Sequence, residues 1–384
     1  MKKILLTALQ LAVTGALLYW VFHDRDVRRA MGVAIQKADL RWIGAAILAY
    51  LVVEIGAVVR WRILLKVQGI NLTTPRITGL FLIGMFYNQF LPGGTGGDVV
   101  KTYLLWKETP GKKPGALLAV LFDRMIGLIA LIIITGVLIF LRYSWLTRET
   151  AAQLDPNRFQ NPRFYVWVVL AVFGSSVLFV TTTFIVSGFN LLRKLPHKFP
   201  GREKLIEISA AYHLYARHWR ATVSAFGASL VCHLGTFATF LCVAYAFRAG
   251  LEPFTDLNGN GVYDAGEPFK DLNGNGTWDS HVAVVDFFAI MPIERTISSL
   301  PISFAGVGTR EFILQVMLLN LCAVPREVAR LIGLTGFTVI LLCCLPGGIV
   351  YFFYKPIGET RHVKMREMKE EFVTLEHEIT EKEK

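Results

Sequence analysis

The chain has 384 residues, of which 53% are hydrophobic and only 18% charged. A soluble domain carries about a quarter charged residues, so a soluble globular protein is excluded, the more so because the apolar residues fall in long runs. A net charge of +11 raises nucleic acid as a partner. The Lys and Arg residues cluster in the links between apolar runs, however, as in the cytoplasmic loops of membrane proteins, and no nucleic-acid partner is expected.

In chain order, apolar runs over 4–22, 42–59, 115–141, 164–189, 221–247 and 327–354 each predict a transmembrane helix, since about 20 apolar residues cross a bilayer core about 30 Å thick. The first run follows Met1-Lys2-Lys3 and resembles a signal peptide. It is too long for one and has no small-residue cleavage site, so it reads as the first span. The loop 190–220 carries Arg193, Lys194, Lys198, Arg202, Lys204, Arg217 and Arg220, which predicts a cytoplasmic location. Lys107, Lys112 and Lys113 and the charged tail point the same way. These anchors put residues 249–281 outside and the C-terminus inside a plasma (inner) membrane. The link 23–41 fits poorly: it comes out extracytoplasmic yet contains Arg25, Arg28, Arg29, Lys37 and Arg41. Cys232, Cys242, Cys322, Cys343 and Cys344 sit in or at the end of apolar runs without metal-ligand spacing, and are expected to be buried as small apolar residues.

Two further apolar stretches, 77–106 and 282–323, are broken by Pro and Gly. The first contains Leu91-Pro92-Gly93-Gly94-Thr95-Gly96-Gly97-Asp98 and then Lys101. The second contains Leu300-Pro301, Ser303, Gly306, Gly308, Arg310 and Glu311. Each has a Leu-Pro break, glycines, and ionisable residues opening the next helix. With the topology above the two breaks face opposite sides, which predicts an inverted pseudo-repeat. Broken backbone at membrane depth must be buried in protein or line a wet cavity, and a helix starting there offers N–H groups to an anion. Paired interrupted segments point to a transporter's substrate site. The competing reading is that the glycines only let helices pack closely.

Charges embedded in the apolar runs strengthen the site reading. Glu54, Asp123-Arg124, Asp286 and Glu294-Arg295 all lie within spans or before a break, where an ionised residue costs on the order of 3 kcal/mol and normally faces a partner or water. Asp98 and Lys101, three apart, share a helix face and are expected to pair. Arg124, Arg295 and Arg310 are the candidates to grip a phosphate, because a guanidinium forks two oxygens at once. His233 is expected to be a packed core residue. The candidate substrate-binding set is Gly93, Gly94, Gly96, Gly97, Asp98, Lys101, Arg124, Arg295, Ser303, Gly306, Gly308, Arg310 and Glu311.

Arg60-Trp61-Arg62, the Leu91–Asp98 motif, Asp123-Arg124 and the Pro301–Glu311 motif together resemble the flippase-like, lysylphosphatidylglycerol-synthase transmembrane family. The resemblance covers roughly residues 1–355 apart from one insert. It implies a role in moving lipids between leaflets, with a head-group cavity at Gly96, Gly97, Asp98, Arg124, Gly306, Gly308, Arg310 and Glu311. Some members, such as the multiple peptide resistance factors, fuse a cytosolic aminoacyl-transfer domain; too few residues follow the last span here to imply one.

The insert, 249–281, contains Asp256, Asn258, Asn260, Gly261, Val262, Asp264 and Glu267 at EF-hand loop spacing, with Gly261 at the sharp turn. A half-copy over Asp271–Asp279 lacks the closing Glu, because Val282 stands there. With Asn at the third and fifth positions, the loop is expected to bind Ca²⁺ weakly, at about 10⁻⁴ to 10⁻³ M, as extracellular modules do. In the tail, Met365, Met368, Phe372, Leu375 and Ile379 recur at spacings of three and four, which permits a short coiled coil with a homo-oligomer, or a helix lying on the membrane surface; at this length a frayed helix is the expected outcome.

The sequence therefore predicts an all-α, polytopic helical membrane bundle with two re-entrant-type hairpins. Residues 1–248 and 282–355 form the transmembrane domain, 249–281 an extracytoplasmic Ca²⁺-binding insert, and 356–384 a charged cytoplasmic tail. The function it points to is translocation of a phospholipid or lipid-linked anionic head group, with membrane lipids as partners. The alternatives are an integral-membrane enzyme acting on lipid phosphates, for which no catalytic constellation is found, or a Ca²⁺-responsive scaffold.

Overall fold

The computed structural model describes residues 23–90, 96–148, 158–188, 213–260, 263–272, 276–299 and 306–356, with single positions 12, 15, 16, 19, 210 and 303. The predicted first span, the break carrying Gly93 and Gly94, the ligand position Val262 and the tail beyond 356 lie outside the described residues.

Among the described residues, every regular element is helical, apart from one isolated antiparallel bridge between Phe254 and Phe269. In chain order they are α1 (Arg25–Gln36), α2 (Leu40–Val67), α3 (Thr74–Phe90), α4 (Gly96–Glu108), α5 (Lys113–Leu146), α6 (Pro162–Gly188), α7 (Trp219–Ala246), α8 (Val284–Ser298), α9 (Thr309–Cys322) and α10 (Arg326–Phe353). By length and composition α2, α5, α6, α7 and α10 are five candidate membrane spans. Their outer faces are apolar. On α2, Leu48, Val52, Ile55 and Val59 are exposed at spacings of four, three and four, and on α10 Leu342, Leu345, Ile349 and Phe352 are exposed in the same way. Such stripes suit lipid and would be a liability in water.

The link 23–41, whose basic residues fit the expected extracytoplasmic side poorly, is largely the amphipathic helix α1. Asp24 caps it, its carboxylate accepting from Asp26 N at 2.9 Å and Val27 N at 3.4 Å.

Both broken stretches are helix–break–helix units. The α3 and α4 helices have 17 and 13 residues, and α8 and α9 have 15 and 14. At 1.5 Å per residue these reach about 20–26 Å, short of the roughly 30 Å that a full crossing needs.

The chain forms two compact units. Unit one contains Met1–Ile55, Leu128–Ile185 and Ser229–Ile340, and so holds the α8/α9 hairpin and the insert. Unit two contains Gly56–Gly127, Val186–Ala228 and Leu341–Lys384, and holds the α3/α4 hairpin.

Small residues set the packing inside each unit. In unit two, a Cβ on Gly97 would lie 1.8 Å from Gly84 O and one on Gly347 2.0 Å from Leu82 O, so α3 is in backbone contact with both α4 and α10. The core beside it gathers Leu64, Phe122, Ile126, Tyr215 and Ala225, with Tyr215 stacked on Phe122 at 4.1 Å and donating to Leu64 O at 3.2 Å. In unit one, Gly235 admits Val53 and Gly336 admits the Phe240 ring, a Cβ on either meeting its neighbour under 3 Å away. The five cysteines form no disulfide, and all are buried except Cys242, which is half-buried.

Candidate functional site

The start of α4 in unit two belongs to a charge cluster. Asp98 sits in the first turn of α4 with Lys101 one turn on, and the predicted pair forms: Lys101 Nζ is 3.6 Å from Asp98 Oδ1. Asp123 and Arg124, side by side on α5, complete the cluster. Lys101 Nζ is also 3.9 Å from Asp123 Oδ2, and Arg124 Nε donates to Asp98 Oδ2 at 2.5 Å. The fifth member is Arg60 of α2, which grips Asp123 with two donors, Nε to Oδ1 at 2.7 Å and Nη2 to Oδ2 at 3.2 Å. The ammonium of Lys101 also lies 4.6 Å from the Trp61 ring centre, a cation–π contact that helps to hold a 3% exposed cation.

Among the described residues, three cations thus face two carboxylates. Asp98, Lys101 and Asp123 are buried, whereas the Arg124 side chain is 52% exposed and is the most exposed part of the cluster with a stated value. Gly97 does two jobs at the break. It lets α3 approach, and its N–H donates to Asn88 Oδ1 at 2.9 Å, so this amide of the helix start already has an acceptor. Gly96 opens the helix and is half-buried.

The α8/α9 break in unit one is built differently. Gly306 and Gly308 have φ of +75° and +83°, a left-handed backbone that glycine adopts without strain. Gly308 N donates to Glu311 Oε2 at 2.5 Å and caps α9, while Ser303 Oγ and Thr309 Oγ1 share a hydrogen bond of 2.8 Å. Arg310 is only 4% exposed. Its Nε is 3.5 Å from Glu294 Oε1, and its guanidinium carbon lies 4.9 Å and 5.9 Å from the Phe337 and Phe240 ring centres. Arg310 is therefore packed among acids and aromatics, not presented to a ligand. Arg295 is half-buried on α8. Two carboxylates, Glu294 and Glu311, both fully buried, accompany the one guanidinium of Arg310.

The other embedded charges have separate settings. Asp286 pairs with Arg142 of α5, at the residue where that helix leaves helical geometry. Glu54 is 7% exposed, and its Oε1 accepts no hydrogen bond from the described residues. His233 is half-buried in α7.

The insert in unit one is a closed loop. Its ends meet where Val282 N donates to Ala249 O at 2.7 Å, and Gly250, at φ +81°, lets the strands touch. Inside it, Glu252-Pro253-Phe254 to Asp264 recurs as Glu267-Pro268-Phe269 to Asp279, a fifteen-residue period. The contacts obey the same period. Thr255 N donates to Pro268 O at 2.8 Å, and Lys270 N donates to Pro253 O at 2.9 Å. Phe254, Tyr263, Phe269 and Trp278 form the aromatic core, Tyr263 stacked on Trp278 at 4.6 Å. Glu267 accepts from Leu257 N at 2.9 Å and Asp264 N at 3.0 Å; Glu252 accepts from Leu272 N at 2.7 Å and Asp279 N at 3.1 Å. Glu252 thus closes the second loop in the way that Glu267 closes the first, in place of the carboxylate missing at Val282.

The first loop brings Asp256, Asn258, Asn260, Asp264 and Glu267 into one turn. Asn258 and Asn260 donate through Nδ2 to Asp264 Oδ2 at 2.6 Å and 2.8 Å, and Asp256 Oδ1 accepts from Gly259 N at 2.7 Å. The donor set is all oxygen, as Ca²⁺ requires, but both amides must rotate to present Oδ1. Among the described residues, no group of three or more His, Cys, Asp or Glu stands at metal-holding distance. At the base of the insert, His281 packs against Tyr245 at 4.5 Å, and burial together with the Arg248 charge lowers its pKa from the ordinary 6.5.

Comparison with known proteins adds two findings. Residues 7–254 match the family described as the lysylphosphatidylglycerol synthase TM region. A UPF0104 membrane protein of Pyrococcus horikoshii is 32% identical over 135 residues, which are 35% of this chain and 39% of that protein, so the chain matches well under half of that relative's length. The family match includes Arg60, Asp98, Lys101, Asp123 and Arg124 and ends before the α8/α9 hairpin.

Proposed function

Because this chain belongs to the lysylphosphatidylglycerol synthase transmembrane-region family, we propose that this multi-pass membrane protein carries the anionic head group of a phospholipid or lipid-linked precursor between leaflets. The acyl tails stay in the bilayer throughout. The observation that carries this reading is the cluster of Arg60, Lys101 and Arg124 against Asp98 and Asp123, with the Arg124 side chain half-exposed. A buried site with one cation in excess is short of an anion, and a guanidinium offers a phosphate two parallel donors. The carboxylates hold the cations in place between visits, so the head group enters a preformed site.

The insert is a paired Ca²⁺ module on this reading. Asp256, Asn258, Asn260, Val262, Asp264 and Glu267 form one oxygen site, and the second loop, closed by Glu252, forms the other. Ca²⁺ stabilises this loop rather than gating transport.

Reconstitution into vesicles tests the function. A fluorescent anionic phospholipid in the inner leaflet is expected to become accessible to a membrane-impermeant quencher, and Arg124→Ala is expected to abolish that exchange while the protein stays folded. Appearance of a new lipid product by mass spectrometry would favour the enzyme reading instead, and exchange unaltered by Arg124→Ala would sink the proposed site.

A further inference from the structure

The α8/α9 hairpin carries a charge imbalance of the opposite sign to that at the α3/α4 break. Glu294 and Glu311 have no exposed surface, and the nearby cation is Arg310, itself 4% exposed. Neither oxygen of Glu294 accepts a hydrogen bond from the described residues, and Nε of Arg310 is 3.5 Å away, a charge contact rather than a hydrogen bond. Glu311 spends Oε2 on the Gly308 amide, while its Oε1 accepts no hydrogen bond from the described residues.

Among the described residues, no other charged group pairs with either carboxylate. The charges acting on Glu311 are those of Arg310 and Glu294. From α7 the facing group is the Phe240 ring, and the charged or titratable residues of that helix are Arg220, Cys232, the half-buried His233, Cys242 and Tyr245. From α10 they are Phe337 and Gly333, a Cβ on the latter falling 3.0 Å from Glu311 Cγ; Arg330 of the same helix donates to Gln315 Oε1 at 2.6 Å. On α8 the next charges are Arg295 and the Arg142-paired Asp286. A metal cation would need six or more oxygen ligands, and these neighbours are rings and a glycine backbone. A second buried negative charge without a counter-ion costs several kcal/mol. A proton is the one cation that needs no extra room.

We propose that Glu294 and Glu311 bind one exchangeable proton over Arg310, and that this proton couples lipid movement to a pH gradient. The coupling rests on the lipid-exchange reading; the proton site does not. In the loaded state one Glu is a neutral acid, able to donate its O–H to the other carboxylate, and Arg310 balances the remaining charge. Uptake takes the proton from water on the more acidic side onto a carboxylate oxygen. Release returns it to water on the other side, when the hairpin changes the face to which it opens. No bond other than O–H is made or broken.

Infrared difference spectra of the reconstituted protein across a pH titration test the site directly. The wild type is expected to show a protonated-carboxyl carbonyl band that Glu294→Gln or Glu311→Gln removes, with Glu54→Gln run in parallel to separate the other buried acid. Glutamine keeps the size of each side chain and the acceptor for Gly308, and if one of the two variants does not fold, the other decides the matter together with Glu54→Gln. Absence of such a band, or its persistence in both Gln variants, overturns the proton site. The coupling is read from lipid exchange: an imposed pH gradient is expected to speed wild-type exchange several-fold and to leave Glu294→Gln at its symmetric-pH rate. Measurable exchange that ignores the gradient overturns the coupling and spares the lipid reading. If the wild type exchanges no lipid at all, the transport reading fails together with the coupling, and the infrared band still judges the site.

Discussion

Replacing Asp123 by Asn and Arg124 by Ala, adjacent residues of α5, should have opposite consequences. Asp123 is 3% exposed and faces two cations, Arg60 with two donors at 2.7 Å and 3.2 Å, and Lys101 at 3.9 Å. Asn keeps the shape but removes the charge, leaving Arg60 and Lys101 to repel one another across it. Stranding a buried charge in this way costs about 3–5 kcal/mol. Arg124, by contrast, has a side chain 52% exposed, and Asp98 keeps Lys101 at 3.6 Å when the guanidinium is gone. An exposed pair of this kind is worth about 0.2–1 kcal/mol. Thermal unfolding of the detergent-purified protein, followed by size-exclusion recovery, should therefore show a Tm lowered by on the order of 10 °C in Asp123→Asn and scarcely changed in Arg124→Ala. Adding Lys101→Met to Asp123→Asn should recover part of the loss, since it removes the repulsion. Equal stability of the two single variants, or a double variant worse than Asp123→Asn, would refute the charge balance drawn here.

Three further outcomes follow from the geometry. Gly97→Ala places a methyl 1.8 Å from Gly84 O, so it should destabilise by at least the 1–3 kcal/mol typical of overpacking, roughly, measured as lost yield of folded protein. Calcium titration of the intact protein should give two sites in the wild type and one in either Glu252→Ala or Glu267→Ala; a single site in the wild type would break the pairing of the two loops. The lowered pKa of His281 means that the unfolded state takes up its proton first as pH falls. The base of the insert should hold its full stability above the ordinary value of 6.5 and lose it as pH drops below. Trp278 fluorescence should report that loss, and His281→Gln should remove its pH dependence.

The spans were legible because lipid-facing helices must be apolar over their whole length. The run 42–59 reveals the middle of α2, but the helix continues to Val67 through Arg60 and Arg62. Charge ends an apolar run without ending a helix when a partner waits, and the partner of Arg60 lies 63 residues away at Asp123. Asp98 and Lys101 were readable as a pair because helical spacing is local. The burial of Arg310 was not, because it depends on Phe240 and Phe337 arriving from two other helices. The first calcium loop follows a linear spacing, and reading the second the same way led to Val282. Its closing residue, Glu252, precedes the first loop, and only the fifteen-residue period, Glu252-Pro253-Phe254 against Glu267-Pro268-Phe269, carries that signal.

Head-group preference in leaflet exchange bears most directly on the excess cation beside Arg124. Vesicles holding the wild-type protein should move a labelled anionic phospholipid several times faster than a zwitterionic one, with protein-free vesicles moving neither. Equal rates for the two lipids, or an anionic rate no higher than in empty vesicles, would contradict a site built to receive a phosphate-bearing anion.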